Sequence, residues 1–391
     1  MQSDPKSKRS IGWMGLARGH KARPVEWISE KLIFLVSLSA IVTVFLIFVF
    51  VAREAFPIVF GTVNNQVTQK VIPAADFDKL SPEELQHYLG LSPSEFAQKS
   101  KNTLTLLMEL KEETAKEATK DKDAAVNTVS WCYILKPYQW SDYDKPEYIW
   151  QPVSQISKFN IVPLLIGSLK VTIIALLFSV PLALGAAIYV SQLAKPKVKE
   201  IVKPAIELLS GIPSVVLGFF GLIIMASVLQ SLFGYQSRLN AFVAGIALGL
   251  AVIPVVFSIA EDALTSVPRS YVQAALALGS TRWEAAWKVV LPAAIPGVFA
   301  AVVLGFGRAV GETMVVLMAS GNASIMSGNL FDSARTITAT IAAEMAEAVA
   351  GGPHYRMLFL IGALLFVITF MSNLAGDLVM HRLKGRLEGR R

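Results

Sequence analysis

The stretch EDALTSVPRSYVQAALALGSTRWEAAWKVVLPAAIPG, residues 261–297, lies between two long apolar runs, 239–259 and 298–318. A polar segment with helical spacing, held between stretches too apolar for a water-facing surface, reads as a loop joining two membrane spans. Pro268 opens a first helix, small Ala274 and Ala275 allow close approach, and Gly279 with Ser280 provides a bend. A second helix beginning at Thr281 is expected to stop at Leu291 and Pro292. Two short helices bent at a glycine make a compact knob; the plain alternative is an ordinary amphipathic loop.

Working outward, further apolar runs cover residues 32–51, 171–190, 212–232 and 357–380. With 239–259 and 298–318 they make about six spans of about 20 residues each. The chain has 391 residues, 53% of them hydrophobic, and its mean hydropathy is positive. The expected fold is therefore all-α and integral to the membrane, with the lipid bilayer as one partner. A net charge of +7 could also suggest nucleic acid, so the position of the charges has to decide. Lys6, Lys8, Arg9, Arg18, Lys21 and Arg23 precede the first span, and Lys195, Lys197, Lys199 and Lys203 follow the second. Arg382, Lys384, Arg386, Arg390 and Arg391 follow the last. If the spans alternate, all of these fall on one side, the lysine and arginine excess of a cytoplasmic face, which places both termini in the cytoplasm. No aromatic interleaving or reading motif accompanies them, so no nucleic-acid partner is expected. A basic segment 1–30 leads into a first span at 31–52 without a small-residue cleavage site, which reads as an anchor, and 381–391 is a basic tail.

Residues 53–160 form a polar extracytoplasmic insertion between the first two spans. Helices are expected after Ser81-Pro82 and Ser92-Pro93, each with an acidic first turn, and Glu112 with Lys116 is spaced as a solvated charge pair. The segment WCYILKPYQWSDYDKPEYIW, residues 131–150, suits a small core or the membrane interface better than a partner-binding surface. Cys132, the one cysteine, has no internal partner and reads as a buried or free thiol.

Enzyme signatures are missing from the sequence. His20, His87, His354 and His381 lack metal-ligand spacing, and no glycine-rich loop followed by Lys-Ser or Lys-Thr is present. The sequon at Asn322 is a common chance match. No catalytic residue, metal or cofactor is expected, and any energy must come from another subunit.

One apolar run carries charge. VVLGFGRAVGETMVV, residues 302–316, places Arg308 and Glu312 inside the fifth span. A helix beginning near Ile295 and rising about 1.5 Å per residue brings Arg308 some 20 Å along, close to mid-bilayer, with Glu312 one turn further out. Each charge costs roughly 3 kcal/mol at the centre of a span, so neither should face lipid. Either the two pair locally and lock helices together, helped by Gly305, Gly307 and Gly311, or they line a water-filled path.

The knob resembles the coupling motif of ATP-binding-cassette importer permeases, in which Glu-Ala-Ala, three residues, Gly, nine residues, Ile, one residue and Leu-Pro recur. Gln273, Ala274, Ala275, Gly279, Val289, Leu291 and Pro292 fall at those spacings, with Gln273 in place of Glu and Val289 in place of Ile. The stretches SGIPSVVLGFFGL from Ser210, GFGRAVGETMVVLMASGNA from Gly305, RTITATIAAEMAEAVAGGPHYRMLFLIGALLFVITF from Arg335 and WQPVSQISKFNIVPLLIGSLKVT from Trp150 are similar to the phosphate-specific transport permeases. The resemblance covers most of residues 150–380 and does not extend over 53–149. It implies a type I importer permease fold over 161–380, with a cytoplasmic coupling loop at 261–292, in a bacterial inner membrane. It also implies an ATPase dimer, a second related permease and an extracytoplasmic phosphate-binding protein as partners. Arg308, Glu312 and Thr313 become substrate-pathway residues, the guanidinium suiting the oxygens of phosphate. Sulfate and molybdate permeases also carry Arg and Gly-Glu in this span, so another oxyanion is the alternative; Thr313 and Met314 follow Glu312 where those permeases tend to have Phe-Gly, which favours phosphate. A membrane sensor, with 53–160 as its ligand domain, would need a signalling module that the tail after Met380 is too short to hold.

Overall fold

The computed structural model describes residues 24–65, 81–89, 91, 96, 99–120 and 122–387. The basic leader with His20, the second Ser-Pro start at Ser92 and Pro93, and Arg390 and Arg391 lie outside the described residues, as do the side chains of His87, Lys116, His381, Lys384 and Arg386.

Among the described residues, six helices are long and apolar enough to cross a membrane: Ile28–Val59, Val162–Leu193, Ser214–Phe233, Ala241–Thr265, Arg282–Gly311 and Pro353–Met380. They are called here the first to sixth spans. Contacts divide the chain into two compact units, Met1–Val51 and Ala52–Arg391. In the first unit the span presents leucine, isoleucine and phenylalanine side chains such as Leu35 and Phe45 at its surface, as a lipid-facing helix does.

The second unit is built around the second, fourth and fifth spans. Ala175, Leu248, Val252, Phe257 and Ala301 share one buried cluster. Small residues bring the backbones together, since lipid supplies no hydrophobic drive between helices. A Cβ on Gly249 would come within 2.7 Å of the Phe178 ring, and one on Gly305 within 2.6 Å of Val256. The second and fourth spans run in the same direction, because Gly245 meets Val171 and Ile174 while Gly249 meets Ala175 and Phe178. The fifth runs opposite to them, with Gly297 on Ala263 and Gly305 on Val252 and Val256. The sixth is antiparallel to the fifth, with Gly376 on Val303 and Asn373 on Gly307.

At the knob end of the bundle, an amphipathic helix, Pro196–Ser210, is tied to the fourth span by three ion pairs, one of them Lys203 to Asp262 at 3.6 Å. Lys199 and Lys203 meet the Glu261 carboxylate at 2.9 and 2.7 Å, and Thr265 donates to it at 3.0 Å. The hydrogen bond to Glu261 holds the Lys203 ammonium above the usual lysine range. Glu261 itself is 1% exposed, so this clamp satisfies a charge that would otherwise be stranded.

At the opposite end, a second cluster gathers Ala55, Ile58, Trp150, Phe159, Leu164, Ile337, Leu358 and Ile361. A two-stranded antiparallel pair sets Trp150 opposite Phe159 and Gln151 opposite Lys158. Part of the aromatic segment forms a small core: Trp140 is 4% exposed, packs edge-on with Tyr138 at 4.8 Å, and carries the Lys158 ammonium over its face at 5.2 Å, whereas Trp131 is 43% exposed. Helices Pro82–Leu89 and Lys101–Lys120 share a small cluster of Leu85, Leu104 and Met108. The first of them starts as its sequence dictates: Ser81 and Glu84 form a reciprocal cap, with Ser81 N donating to Glu84 at 2.9 Å and Glu84 N to Ser81 at 3.3 Å. Cys132 is free and exposed, not buried.

Two expectations need correction. The second knob helix does not stop at Leu291 and Pro292. It begins after Thr281, passes through a π turn at Ala286–Val290 and continues as Leu291–Gly311, so the fifth helix starts at Arg282 rather than near Ile295. Proline clashes with the carbonyl four residues back and lacks an N–H, but at Pro292 the wider π turn just before it absorbs both demands. The fifth span also does not run on to residue 318. It ends at Gly311, where Glu312 turns extended with φ −72° and ψ 134°, and a separate short helix follows at Met314–Ala319.

The tightest approach yields a stability test. A Cβ on Gly167 would run into the backbone carbonyl of Arg335, whereas Gly185 has nothing near it. Gly167→Ala should destabilise the subunit by about 1–3 kcal/mol, and Gly185→Ala should be neutral or slightly stabilising. Thermal unfolding in detergent reads the difference, and equal midpoints for the two variants would mean that backbone contact at Gly167 is not holding the fold.

Candidate functional site

The depth of Arg308 follows from its neighbours. Gly305 rests against Val252 and Val256, in the middle of Ala241–Thr265, and close to Leu176, in the middle of Val162–Leu193. Gly305 is therefore at the midplane of the bundle, and Arg308 lies about 4.5 Å beyond it toward the insertion end. Arg308 lies near mid-height of the bundle although its helix begins earlier, because the extra turns extend the knob end.

Arg308 is exposed, as are Leu304 and Gly311 on the same side of the helix. Among the described residues no ion pair joins Arg308 to Glu312, so the local lock is not formed. Glu312 is occupied otherwise. Its Oε1 accepts from the backbone N–H groups of Thr313 and Met314 at 3.2 and 3.3 Å, satisfying the first donors of the helix Met314–Ala319. Its carbonyl accepts from the Thr338 hydroxyl at 2.8 Å. Thr313 is half-buried at the break itself. The arrangement is thus a broken helix whose carboxylate secures the break and whose guanidinium faces outward at mid-depth.

A second charged group lies toward the insertion end and was not singled out in the sequence. Glu344 receives the Arg335 guanidinium at 2.7 Å, His354 Nε2 at 2.9 Å and the Trp150 indole N–H at 3.1 Å. It fastens the Trp150–Phe159 strand pair to the helix Ile337–Glu344 and to the start of the sixth span. Beside it opens a recess of about 720 Å³, lined by Tyr143, Tyr148, Trp150, Asn322, Ser324 and Arg335. The signal was available: an acidic residue in TIAAEMA, otherwise an apolar stretch, needs a partner once buried. Its partners are far away in sequence, so they could not be named. Asn322 spends its Nδ2 on the Leu317 carbonyl at 2.6 Å.

The knob is bent as expected. Its first helix is Arg269–Ala277, Gly279 has φ +90°, and Thr281 and Glu284 form a reciprocal cap at the start of the next helix. Ala275 is buried against the second helix's side of the bend, while Gln273 and Ala274 are exposed. Val289 and Leu291 are half-buried in the continuing helix and Pro292 is exposed. Tyr271, Leu278, Trp283 and Trp287 present apolar surface, with Leu278 88% exposed and the two indoles edge-on at 5.6 Å. An exposed apolar patch of this kind suits contact with a partner or with the membrane surface. Among the described residues no group of histidine, cysteine, aspartate and glutamate could hold a metal ion.

Comparison with known proteins adds three findings. Residues 179–388 match the family described as binding-protein-dependent transport system inner membrane component. A Bacillus subtilis protein named probable ABC transporter permease protein YqgH is 37% identical over 57% of this chain and 72% of its own. A Mesorhizobium japonicum protein named phosphate transport system permease protein PstC is 35% identical over 61% of this chain and 77% of its own. Among solved structures, the MetNI methionine ABC transporter in an inward facing form aligns with a TM-score of 0.43 at 20% identity, over 57% of this chain and 94% of that one.

The capping role of Glu312 can be separated from its charge. Glu312→Gln keeps an acceptor oxygen and should leave stability unchanged, whereas Glu312→Ala should cost about 1 kcal/mol by leaving two N–H groups without a partner. Thermal unfolding of both variants checks this; equal losses would mean that the negative charge, and not the cap, secures the break.

Proposed function

The chain belongs to the binding-protein-dependent transport system inner membrane component family, and we propose that it is the permease subunit of an ATP-driven importer of inorganic phosphate. It is a multi-pass inner-membrane transport component. The observation that carries the substrate path is Arg308, an exposed guanidinium at the midplane of the bundle with no carboxylate of the described residues paired to it. Left in lipid it would be costly, and in a water-filled path it can meet an oxyanion through two parallel N–H groups. The relatives named as phosphate permeases, among them one of Pasteurella multocida 34% identical over 80% of its length, support phosphate as that oxyanion.

In this reading an extracytoplasmic binding protein delivers phosphate at the insertion end, and a second, related permease completes the path against the exposed side of the fifth span. Two ATPase subunits hold the knob, with Leu278 and the paired indoles as the apolar contact and Gly279 as the bend that aims it. Both termini and the knob are cytoplasmic, consistent with the lysine and arginine excess there. ATP hydrolysis belongs to the partner subunits, and phosphate crosses between alternating conformations without a covalent bond to this chain. Glu312 and Thr313 hold the helix break beside the anion, so that Arg308 is presented from a fixed backbone.

Uptake of labelled phosphate by vesicles, compared at equal amounts of assembled complex, tests the role of Arg308. Arg308→Gln should assemble and lose about a hundredfold in uptake, the scale of removing one partner from a desolvated charge contact. Arg308→Lys, which keeps the charge and loses the planar fork, should retain part of it. The double variant Arg308→Gln with Glu312→Gln should stay inactive. Normal uptake by the double variant would mean that the two charges serve packing alone.

A further inference from the structure

Asn373 of the sixth span lies beside this path. Its side-chain oxygen would be 3.3 Å and its nitrogen 4.0 Å from a Cβ on Gly307, the residue before Arg308, so its amide sits at the same mid-depth. It is exposed and makes no hydrogen bond with any described residue. An amide left this way in hydrocarbon is costly, so it has to find water, a partner or a passing ligand.

The winding of the two helices says which side it occupies. Successive residues turn by about 100°, which puts Leu304, Arg308 and Gly311 on one exposed side of the fifth span. The sixth runs antiparallel and touches the fifth through Gly376 on Val303 and Asn373 on Gly307. Its rotation is reversed when viewed from the same end, so Asn373 and, one turn toward the knob end, Asp377 come up on that same side. Asp377 is exposed as well. A carboxylate there would be stranded if this side faced lipid, which is a second indication that it does not. Phe370 and Phe366 continue this side of the sixth span one and two turns further toward the insertion end.

We propose that Asn373 is a second substrate-contacting residue, its amide N–H groups donating to an oxyanion held by Arg308. This deepens the phosphate-permease reading and rests on it. An uncharged donor opposite a guanidinium completes the anion's coordination without tightening it as a second cation would, which suits a site that must also release. Asp377 then lies on the exit side, where its charge opposes the anion's return to Arg308 after release.

The test uses the assembled complex in proteoliposomes with phosphate-loaded binding protein, and reads phosphate transported per ATP hydrolysed. Asn373→Leu and Asn373→Ala should assemble and hydrolyse ATP, since the knob is untouched, while that ratio falls about tenfold, as loss of one hydrogen bond to a charged ligand implies. Asn373→Gln, which keeps the donor, should recover most of it. A ratio equal to wild type in the Leu or Ala variant overturns the proposal, as does failure of both to assemble, which would make Asn373 a packing residue of the permease interface. If the wild-type complex itself imports no phosphate, the parent reading is what has failed, and the two failures are told apart in one experiment.

Discussion

A guanidinium halfway across a bilayer must be given water, a counter-charge or a ligand, and the middle of this bundle is arranged around that demand. Glycines at 305 and 307 let the fifth span lie against the fourth and sixth, so Arg308 is held at a fixed height while its side chain stays outside the packed core. Glu312, one turn along in sequence, commits its carboxylate to the backbone of the next helix. With no ion pair to it among the described residues, the charge is left available on an exposed side that also carries Asn373 and Asp377. The alternative, a locked Arg308 to Glu312 pair, would have offset two desolvation costs and left nothing for an anion.

The same helix links this height to the knob. Arg282–Gly311 is continuous over 30 residues, about 45 Å, because the π turn before Pro292 carries it through what would otherwise be a break. Under the proposed function a force on the knob reaches Arg308 along one rigid element rather than through a chain of side-chain contacts. Packed helices have discrete arrangements, so a tilt of this lever would re-aim the guanidinium between two states. The lysine clamp on Glu261 anchors the neighbouring fourth span at the end where that force would arrive.

Much of the fold could be read from apolar runs, since six stretches exceed the length that a bilayer requires and the polar insertion stands apart from them. The knob was legible because Gly279, Thr281 and Glu284 carry their local conformations in their chemistry: a positive φ at the bend and a reciprocal cap. The ends of the fifth span were not legible. Proline at 292 ordinarily ends a helix, and no residue type announces a compensating π turn. Gly-Glu-Thr at 311–313 reads as continuing helix by hydrophobicity alone, and the break shows only once the Glu312 carboxylate is seen capping Met314–Ala319. The outer network escaped for another reason: Trp150 and Glu344 meet only after the insertion end has folded, 194 positions apart in sequence. Arg308 itself was found because a charge in an apolar run is costly wherever it points, although its freedom from Glu312 needed the structure.

The central claim is that the exposed side of the fifth span at Arg308 is wet and visited by phosphate, and thiol accessibility tests it most directly. Leu304→Cys, in a Cys132→Ser background, places a thiol one turn from Arg308 on that side, and Phe45→Cys places one on the exposed apolar surface of the first span. In the assembled, energised complex a charged, membrane-impermeant thiol reagent should label the cysteine at 304 and not the one at 45, with phosphate-loaded binding protein slowing the reaction at 304. Labelling that is absent at 304, or that proceeds there at the same rate with and without phosphate, would contradict the account.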